Sequence, residues 1–282
     1  MSLLVESRGA LSVRDLTFSY HQGRGGRSRD DKGWAIRGLS FHVREGEVLG
    51  IIGPNGSGKT SLVKLLAKVA RPHAGSIDLF GMPIDGMAQD AVARRVALVP
   101  QETAQLFPFT IAELVLMGRF PHHSAGWRFG GMDWETPEEI GLAERVMSDL
   151  HVRHLADRLL HEVSGGERQR AVIARALVQE PDVLLLDEPT AFLDLRHQME
   201  ILAILRRLNA QRGLTVVMVS HDLNLAGQAC DRLLLLRQGE MVALGMPEEV
   251  IRPELIREVY GCEVLVDRHP VTGRPRVTLP GT

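Results

Sequence analysis

The chain has 282 residues and a formal net charge of −2, and 44% of its residues are hydrophobic. This length suits one large domain with a subdomain and a tail. The near-neutral charge gives no overall argument for a nucleic-acid or lipid-surface partner. The two cysteines, Cys230 and Cys262, stand in no metal-ligand spacing, which argues against a disulfide framework and for a reducing cytoplasm. Residues 1–10 lack the features of a secretory signal, and no apolar run is long enough to predict a membrane span.

The first hundred residues alternate between strand-like and helix-like patterns. Residues 11–20 are strand-like, but their apolar phase shifts around Arg14 and Asp15, which a β-bulge would explain. Further strands are predicted at 34–43, 76–80 and 96–99, with a polar helical segment around 88–95. The Gly-, Arg- and Asp-rich segment 22–32 is interpreted as an exposed loop. Its arginines could touch an anionic partner, although a solvated insertion is the preferred interpretation.

A glycine-rich segment follows the apolar run 48–52 and precedes a helical pattern over 62–70. It reads Gly53, Pro54, Asn55, Gly56, Ser57, Gly58, Lys59, Thr60 and Ser61. The glycines let successive N–H groups turn toward one anion at a helix N-terminus. Lys59 would add a point charge for the β- and γ-phosphates, and Thr60 a hydroxyl for Mg²⁺. A glycine-rich turn that matches by chance is the alternative, but the strand–loop–helix setting favours a nucleotide-binding site.

The middle of the chain changes in composition. Helical patterns over 111–117 and 138–150 flank an irregular stretch at 118–137, so residues 102–162 are predicted to form a mostly helical insertion. His151 and His154 are predicted to share a helical face and to be surface histidines, because no carboxylate or cysteine is arranged around them. His122 and His123 are interpreted as part of a solvated loop, with a metal site as the alternative.

Two carboxylates end a later apolar strand. Asp187 and Glu188 follow residues 183–186, and a turn at a strand's end can bring both into the crevice where ligands of α/β proteins bind. Asp187 would hold the Mg²⁺ shell, which leaves Glu188 to polarise the attacking water as a general base. An acidic pair in a structural turn is the alternative, and the preceding phosphate-binding loop favours the catalytic interpretation.

A capped helix lies just upstream of those carboxylates. Ser164, Gly165, Gly166 and Glu167 precede an amphipathic helix predicted over 170–178. Ser164 is a good N-cap, and Glu167 three residues later completes a capping box. Capping boxes are common structural devices. A second helix terminus suited to an anion in one nucleotide-binding protein nevertheless favours a functional role.

The alternation of strands and helices then continues to the C-terminus. Helices are predicted at 198–209 and 223–229 and strands at 215–219 and 233–236. Short apolar strands that alternate with helices indicate an α/β fold whose mostly parallel sheet is covered on both faces. A short helix at 253–260 and a hairpin over 263–279 are expected in the tail.

Taken together, these motifs resemble the ATP-binding cassette (ABC) ATPases, in the family's motif order, from about residue 11 to 236. The resemblance places Tyr20 where an aromatic residue stacks on adenine, with a strand-end tyrosine as the structural alternative. Gln101 matches the glutamine that contacts Mg²⁺ and the attacking water, and His221 matches the histidine that holds the γ-phosphate. The segment from Ser164 to Glu167 matches the signature that touches the γ-phosphate, with Glu167 where glutamine is commoner.

The loop that ends at Asp194 resembles the segment by which the two subunits of such ATPases communicate. Ala191 stands there where serine is frequent, which puts one side-chain hydrogen bond in doubt. The resemblance implies a P-loop NTPase-type, mostly parallel α/β sheet with an antiparallel β subdomain and an inserted α-helical subdomain. It divides the chain into an ATPase domain, residues 1–250, and a tail, 251–282. The domain would consist of a core, 11–101 and 163–250, and the insertion, 102–162, with the signature at the insertion's end.

The resemblance also implies cofactors and partners. ATP and Mg²⁺ would be bound, and the signature of one subunit would close over the phosphate-binding loop of the other in a head-to-tail homodimer. With no membrane segment predicted, two separate permease subunits would be needed, and a periplasmic or surface solute-binding protein would act through them. No nucleic-acid partner is expected. The chain would lie on the cytoplasmic side of the cell (inner) membrane, as a peripheral subunit.

One motif narrows the class of transporter. Residues 116–123, together with 194–198 and the tail, look like the ATPases of iron-siderophore, haem and cobalamin importers. An importer of zinc, manganese or amino acids is an alternative, as is a soluble ABC ATPase of translation or DNA maintenance. Tandem cassettes, long coiled coils or a basic arm would support the soluble ATPase, and none is visible. A P-loop kinase or GTPase is a third alternative, against which the signature segment argues.

Overall fold

The computed structural model describes residues 9–20, 34–101, 108–123, 136–191 and 193–280. The strands are β1 Gly9–Phe18, β2 Ile36–Arg44, β3 Val48–Ile52, β4 Ala74–Leu79, β5 Met82–Pro83, β6 Val96–Val99, β7 Val183–Asp187, β8 Thr215–Val219, β9 Arg232–Arg237, β10 Glu240–Gly245, β11 Leu265–Arg268 and β12 Pro275–Thr278. The helices are α1 Lys59–Leu66, α2 Gln89–Ala93, α3 Ile111–Leu116, α4 Pro137–Asp149, α5 Gly165–Leu177, α6 Leu195–Arg212, α7 Leu223–Ala229, α8 Pro247–Val250 and α9 Pro253–Tyr260.

The chain divides into two compact units, and the first comprises residues 1–87 and 215–282. Within it β3 lies parallel to both β8 and β9, and β10 pairs antiparallel with β9. All five residues of β3 and of β8 are buried, as expected for parallel strands covered on both faces. A separate antiparallel sheet has the order β2-β1-β4-β5. The expected combination of a parallel sheet with an antiparallel β subdomain is therefore confirmed.

The phase shift seen in the first strand is a β-bulge. The register of β1 against β2 shifts between Val13 and Leu16, and Asp15 has a left-handed backbone with φ of 47°. Ser40 stabilises this bulge from β2, since its hydroxyl accepts from the Asp15 N–H at 2.8 Å. Leu11 and Leu16 can both be buried because the extra residue resets the alternation.

The second unit comprises residues 88–214. It holds the parallel pair β6–β7, the helices α2 to α6 and 3-10 turns at Met117–His122 and Arg153–Leu155. Helices α3, α4 and α5 pack on one another, which confirms the predicted helical character of this region. The unit extends beyond the predicted insertion at both ends. The predicted domain bounds stay a prediction.

The predicted helical pairing of His151 and His154 is wrong. Helix α4 ends at Asp149, and His151 has a left-handed backbone with φ of 57°, which stops the helix. His154 lies in the separate turn Arg153–Leu155. The i, i+3 spacing therefore places the two rings on no common helical face. Both residues are exposed, as predicted.

Of the elements that follow β9, two were not predicted and the others are present as predicted. The sequence analysis did not predict β10 and α8, which follow β9 directly. The predicted tail helix and hairpin are present as α9 and the β11–β12 pair. The predicted loop 22–32, residues 102–107, and most of the irregular stretch 118–137 lie outside the described residues. Within the described ranges, no helix is both long enough and apolar enough to cross a bilayer.

Candidate active site

The glycine-rich loop between β3 and α1 has a backbone that only glycine fits at two positions. Gly53 and Gly58 have φ of 150° and 101°. A Cβ on Gly53 would lie 2.3 Å from the Leu236 carbonyl oxygen, and one on Gly58 would lie 2.3 Å from the Ala35 carbonyl oxygen. Neighbouring backbone thus closes on the loop from both sides. Glycine is required at both positions for two reasons. The backbone has a positive φ, and neighbouring carbonyl oxygens leave no room for a Cβ.

The N-terminus of α1 is open to an anion. Its N-cap, Gly58, supplies no side-chain hydrogen bond. Lys59 is buried, and its ammonium donates to the carbonyls of Gly53 at 2.8 Å and Pro54 at 2.9 Å, which holds the charge over the loop. The buried Ser57 Oγ has no hydrogen-bond partner among the described residues. A helix N-terminus without a side-chain cap, a fixed ammonium and the buried Ser57 hydroxyl fit a phosphate group.

Tyr20 lies beside this loop at the end of β1. Its ring is 58% exposed and packs edge-on against Phe18 with centroids 4.9 Å apart. The Ser61 hydroxyl donates to the Tyr20 hydroxyl at 3.3 Å, and Lys64 Nζ lies 5.9 Å from the ring centroid. An exposed aromatic ring fixed against the first turn of α1 can serve as a platform for a base.

His221 lies at the carboxyl end of β8, in the same unit. β8 pairs with β3 in parallel, with Ile51 opposite Val219, so both strands end at the same edge of the sheet. The residues that flank His221 are locked, since Ser220 Oγ accepts from the Asp222 N–H and donates to the Asp222 carbonyl, each at 3.1 Å. His221 is itself exposed. The first unit therefore brings Tyr20, the phosphate-binding loop and His221 to one region.

In the second unit, Gln101 and Glu188 meet at the ends of β6 and β7. The two strands are parallel, with Val99 opposite Leu186, so their following residues lie at the same edge. Gln101 Nε2 donates to Glu188 Oε2 at 2.9 Å. Glu188 has a left-handed backbone with φ of 55°, a strained conformation for a side chain of this size. Asp187, in contrast, is buried at the last position of β7.

The predicted capping box at the start of α5 is formed. The Ser164 hydroxyl accepts from the Glu167 N–H at 3.3 Å, and Glu167 Oε2 accepts from the Ser164 N–H at 2.8 Å. The Ser164 hydroxyl also donates to the same carboxylate at 2.7 Å. These hydrogen bonds hold the pKa of the Glu167 carboxyl below its usual value. Because the cap sets the helix start at Gly165, α5 begins five residues before the predicted helix.

The sequence analysis missed His197 as a contact of the signature. Asp194 caps α6, where it accepts from the His197 N–H at 2.9 Å and contacts His197 Nδ1 at 2.7 Å. These contacts lower the pKa of the Asp194 carboxyl. A Cβ on Gly166 would lie 2.5 Å from the His197 ring, so this glycine lets the ring pack against the signature helix. The i, i+3 spacing of Asp194 and His197 at a predicted helix start was the available signal.

The expected magnesium ligands lie at element ends. Thr60 is in the first turn of α1, in the first unit. In the second unit, Gln101 follows β6 and Asp187 is the last residue of β7. Within the described ranges, no three His, Cys, Asp or Glu side chains form a group that could hold a metal ion. His122 Nε2 lies 2.9 Å from the Gln179 carbonyl, and His123 contacts Glu139 at 3.4 Å.

The chain is similar in sequence to known ATP-binding proteins of import systems. A family model described as ABC transporter matches residues 36–191. The petrobactin import ATP-binding protein FpuC of Bacillus anthracis is 42% identical over 229 residues, which are 81% of this chain and 82% of that protein. The hemin import ATP-binding protein HmuV of Pseudomonas aeruginosa is 42% identical over 247 residues, 86% of this chain and 92% of that protein.

Solved structures with the same fold come from transporters. A metal-chelate type ABC transporter in an inward-facing conformation matches with a TM-score of 0.79 and 27% identity, over 96% of this chain and 97% of that one. A dimeric, post-hydrolysis ATP-binding cassette bound to ADP and phosphate matches with a TM-score of 0.69 and 26% identity, over 84% of this chain and 98% of that one.

Proposed function

The chain belongs to the ABC transporter family, and from this we propose that it is the ATP-hydrolysing subunit of a binding-protein-dependent importer. The solute would be an iron chelate, haem or cobalamin, carried through a separate membrane permease. The observation that carries this proposal is the identity of about 40% to import ATP-binding proteins over more than four-fifths of the chain. The two relatives are import ATP-binding proteins for petrobactin and for hemin.

ATP would be held by the residues of the first unit. The open N–H groups of α1 and the Lys59 ammonium suit the β- and γ-phosphates, and the exposed ring of Tyr20 suits the adenine. Within the first unit the Thr60 hydroxyl would serve as a ligand of Mg²⁺, and within the second the side-chain oxygens of Gln101 and Asp187 would do so. Oxygen ligands are the type that this ion prefers. When bound, the ion neutralises charge on the phosphates.

Glu188 would act as the general base. It accepts a proton from a water as the water oxygen bonds to the γ-phosphorus and the bond to the bridging oxygen breaks, which leaves ADP and phosphate. The hydrogen bond from Gln101 Nε2 orients the carboxylate, and its strained backbone fixes the direction in which the side chain leaves the strand. His221 would hold the γ-phosphate at the end of β8.

The signature would act in trans. In a head-to-tail homodimer, Ser164, Gly165 and Gly166 of one copy would touch the γ-phosphate bound by the other, and Asp194 would connect the two sites. A dimeric cassette among the similar structures supports this arrangement. Binding of ATP would close the dimer, and hydrolysis would reopen it. The permease would be driven because its affinity for the closed dimer differs from its affinity for the open one. The chain would be peripheral, on the cytoplasmic face of the membrane.

The permease would dock on a groove of about 300 Å³ in the second unit. Apart from Glu139, the residues that line this groove lie within 108–123. Phe120, 46% exposed, supplies an apolar anchor, while Arg119 is fixed by Glu139 at 3.4 Å and Glu180 at 3.0 Å. Phe120→Ala should lower the ATPase rate with the permease about tenfold and leave the basal rate unchanged. Unchanged permease stimulation would refute this docking site.

Two substitutions test the ATPase assignment. Glu188→Gln should retain ATP binding and slow hydrolysis by about 100-fold or more, because the general base is lost while the carboxamide keeps the shape. Lys59→Ala should instead lower nucleotide affinity by about tenfold to 100-fold, because a charged hydrogen-bond donor to phosphate is removed. Binding of a fluorescent ATP analogue and release of phosphate separate the two effects. Undiminished hydrolysis by Glu188→Gln would show that the base lies elsewhere.

A further inference from the structure

The C-terminal hairpin is attached to the first turn of α7. The Val277 N–H, in β12, donates to Asn224 Oδ1 at 2.7 Å, and Asn224 Nδ2 donates back to the Val277 carbonyl at 3.0 Å. The side-chain amide thus replaces a backbone partner along the outer edge of β12. Such a two-way amide pair fixes both the distance and the orientation between strand and helix.

A second attachment lies at the other end of α7. Arg274 Nη1 donates to the carbonyls of Gly227, Gln228 and Cys230 at 3.0, 3.2 and 2.6 Å. The last carbonyls of a helix have no partner within the helix, and a cation there also suits the helix dipole. The guanidinium therefore acts as a C-terminal cap supplied by the tail.

Ile251, which follows α8, closely approaches Gly227 of helix α7. A Cβ at this position would lie 2.9 Å from Ile251 Cδ1 and 3.5 Å from the Pro275 carbonyl oxygen. Glycine weakens a helix interior, so its presence in the middle of α7 has a packing reason. It makes room for the Ile251 side chain, and Pro275 at the start of β12 lies beside it at ordinary van der Waals distance.

Helix α7 is in turn coupled rigidly to His221. The Asp222 carboxylate caps α7 by accepting from the N–H groups of Asn224 at 2.8 Å and Leu225 at 3.0 Å. Asp222 is also tied to Ser220 by two hydrogen bonds, so the backbone on both sides of His221 is fixed. A displacement of α7 would therefore be transmitted through Asp222 to the backbone of His221.

We propose that the C-terminal hairpin, through Arg274 and Asn224, positions His221 for ATP hydrolysis. Arg274 is thus a positioning residue that acts through α7 and touches no nucleotide. This inference rests on the proposed function, in which His221 holds the γ-phosphate. It gives the tail a role in turnover in addition to its packing.

The chain offers a matched control two residues later, inside β12. Arg276 pairs with Asp267 of β11 at 2.8 and 2.6 Å, and both side chains are about half exposed. Arg274→Gln removes the charge that caps α7, whereas Arg276→Gln removes the same charge from a surface pair. The full-length chain of each variant would be compared at saturating ATP and Mg²⁺.

Arg274→Gln should lower kcat by about tenfold with KM within about twofold, since a positioning defect affects the reacting geometry more than the binding of ATP. Amide hydrogen exchange over 221–230 should accelerate by about tenfold as the helix end loses its cap. Asn224→Ala should act in the same direction, and Arg274→Lys should restore part of kcat. Arg276→Gln should change neither readout.

The outcomes separate this inference from the ATPase assignment. Full activity of Arg274→Gln, while His221→Ala and Glu188→Gln are impaired, would overturn the role of the hairpin and leave the proposed function intact. An equal loss of kcat in Arg276→Gln would also overturn it, because the effect would then be general to the tail. Full activity of His221→Ala would refute the role of His221 and, with it, this inference.

Discussion

The two helix N-termini that the sequence marks as anion sites are built in opposite ways. Helix α1 starts after Gly58, which gives no side-chain cap and has a backbone that β-carbon-bearing residues rarely adopt. Helix α5 starts after Ser164. The Ser164 hydroxyl accepts from the Glu167 N–H, and the Glu167 carboxylate accepts from the Ser164 N–H, which completes a capping box. The first terminus leaves its N–H groups to a ligand, while the second satisfies part of its own before any ligand arrives.

This difference matches two different tasks. A glycine-built terminus whose N-cap has no side chain gains most from a phosphate, because the phosphate can take the place of the missing side-chain cap. A capped terminus holds its shape without a ligand, so it can be presented to a nucleotide that another copy of the chain has bound. We therefore expect substitutions in the first terminus to affect nucleotide affinity, and those in the second to affect turnover.

The largest effect is expected from Gly58→Ala. The added Cβ would collide with the carbonyl oxygen of Ala35, a residue that precedes β2 and is held by a hydrogen bond from its N–H to the Phe18 carbonyl at 2.9 Å. ATP affinity, measured by calorimetry, should fall by at least about 100-fold. Gly56→Ala is the matched control, because φ there is 76° but no atom lies within 4 Å of the added Cβ. Gly56→Ala should lower the affinity for ATP only a few-fold. An equal loss of ATP affinity in the two variants would disprove that the Ala35 carbonyl restricts the loop at Gly58.

A smaller effect, on hydrolysis and not on ATP affinity, is expected from Ser164→Arg. In mixed dimers that contain one altered subunit, hydrolysis should fall by roughly 100-fold at the site that the altered signature would cover, as for loss of a charge-stabilising donor. ATP binding to either subunit alone should be normal, because α1 is untouched. Ser148→Arg, on the exposed side of α4, serves as the control. Normal hydrolysis in the mixed dimers would rule out the arrangement in trans.

The smallest effect is expected from Glu167→Gln. The pKa of folded Glu167 lies below its ordinary value of 4.5, so the charged cap stabilises the fold above that pH and loses its contribution as the pH falls through the folded pKa. At pH 7 the variant should melt about 1–3 °C lower. The difference should shrink as the pH falls below 4.5 and vanish once the pH is below the folded pKa. A melting difference that persists at acid pH would mean that the carboxylate charge is not what stabilises this cap.

Much of the site could be predicted from the sequence because its signals are local. The phosphate-binding loop, the acidic strand end and the capping box each depend on residues within ten positions of one another, and their chemistry dictates their spacing. Strands such as β8, and helices such as α7 and α9, were predicted with the bounds that the structure has, because their apolar patterns or flanking caps are strong. The shift at Asp15 even predicted the bulge.

The tertiary structure alone decided the features that depend on distant residues. Nothing near Gly58 in sequence marks the Ala35 carbonyl that closes on it, and nothing near Arg274 marks the end of α7 as its partner. The left-handed residue His151 broke a helix that the spacing of the histidines had suggested would continue. A local pattern records which residues prefer a helix, a turn or an anion. Which side chain meets which carbonyl depends on how strands far apart in the chain are brought together, so only the folded structure determines it.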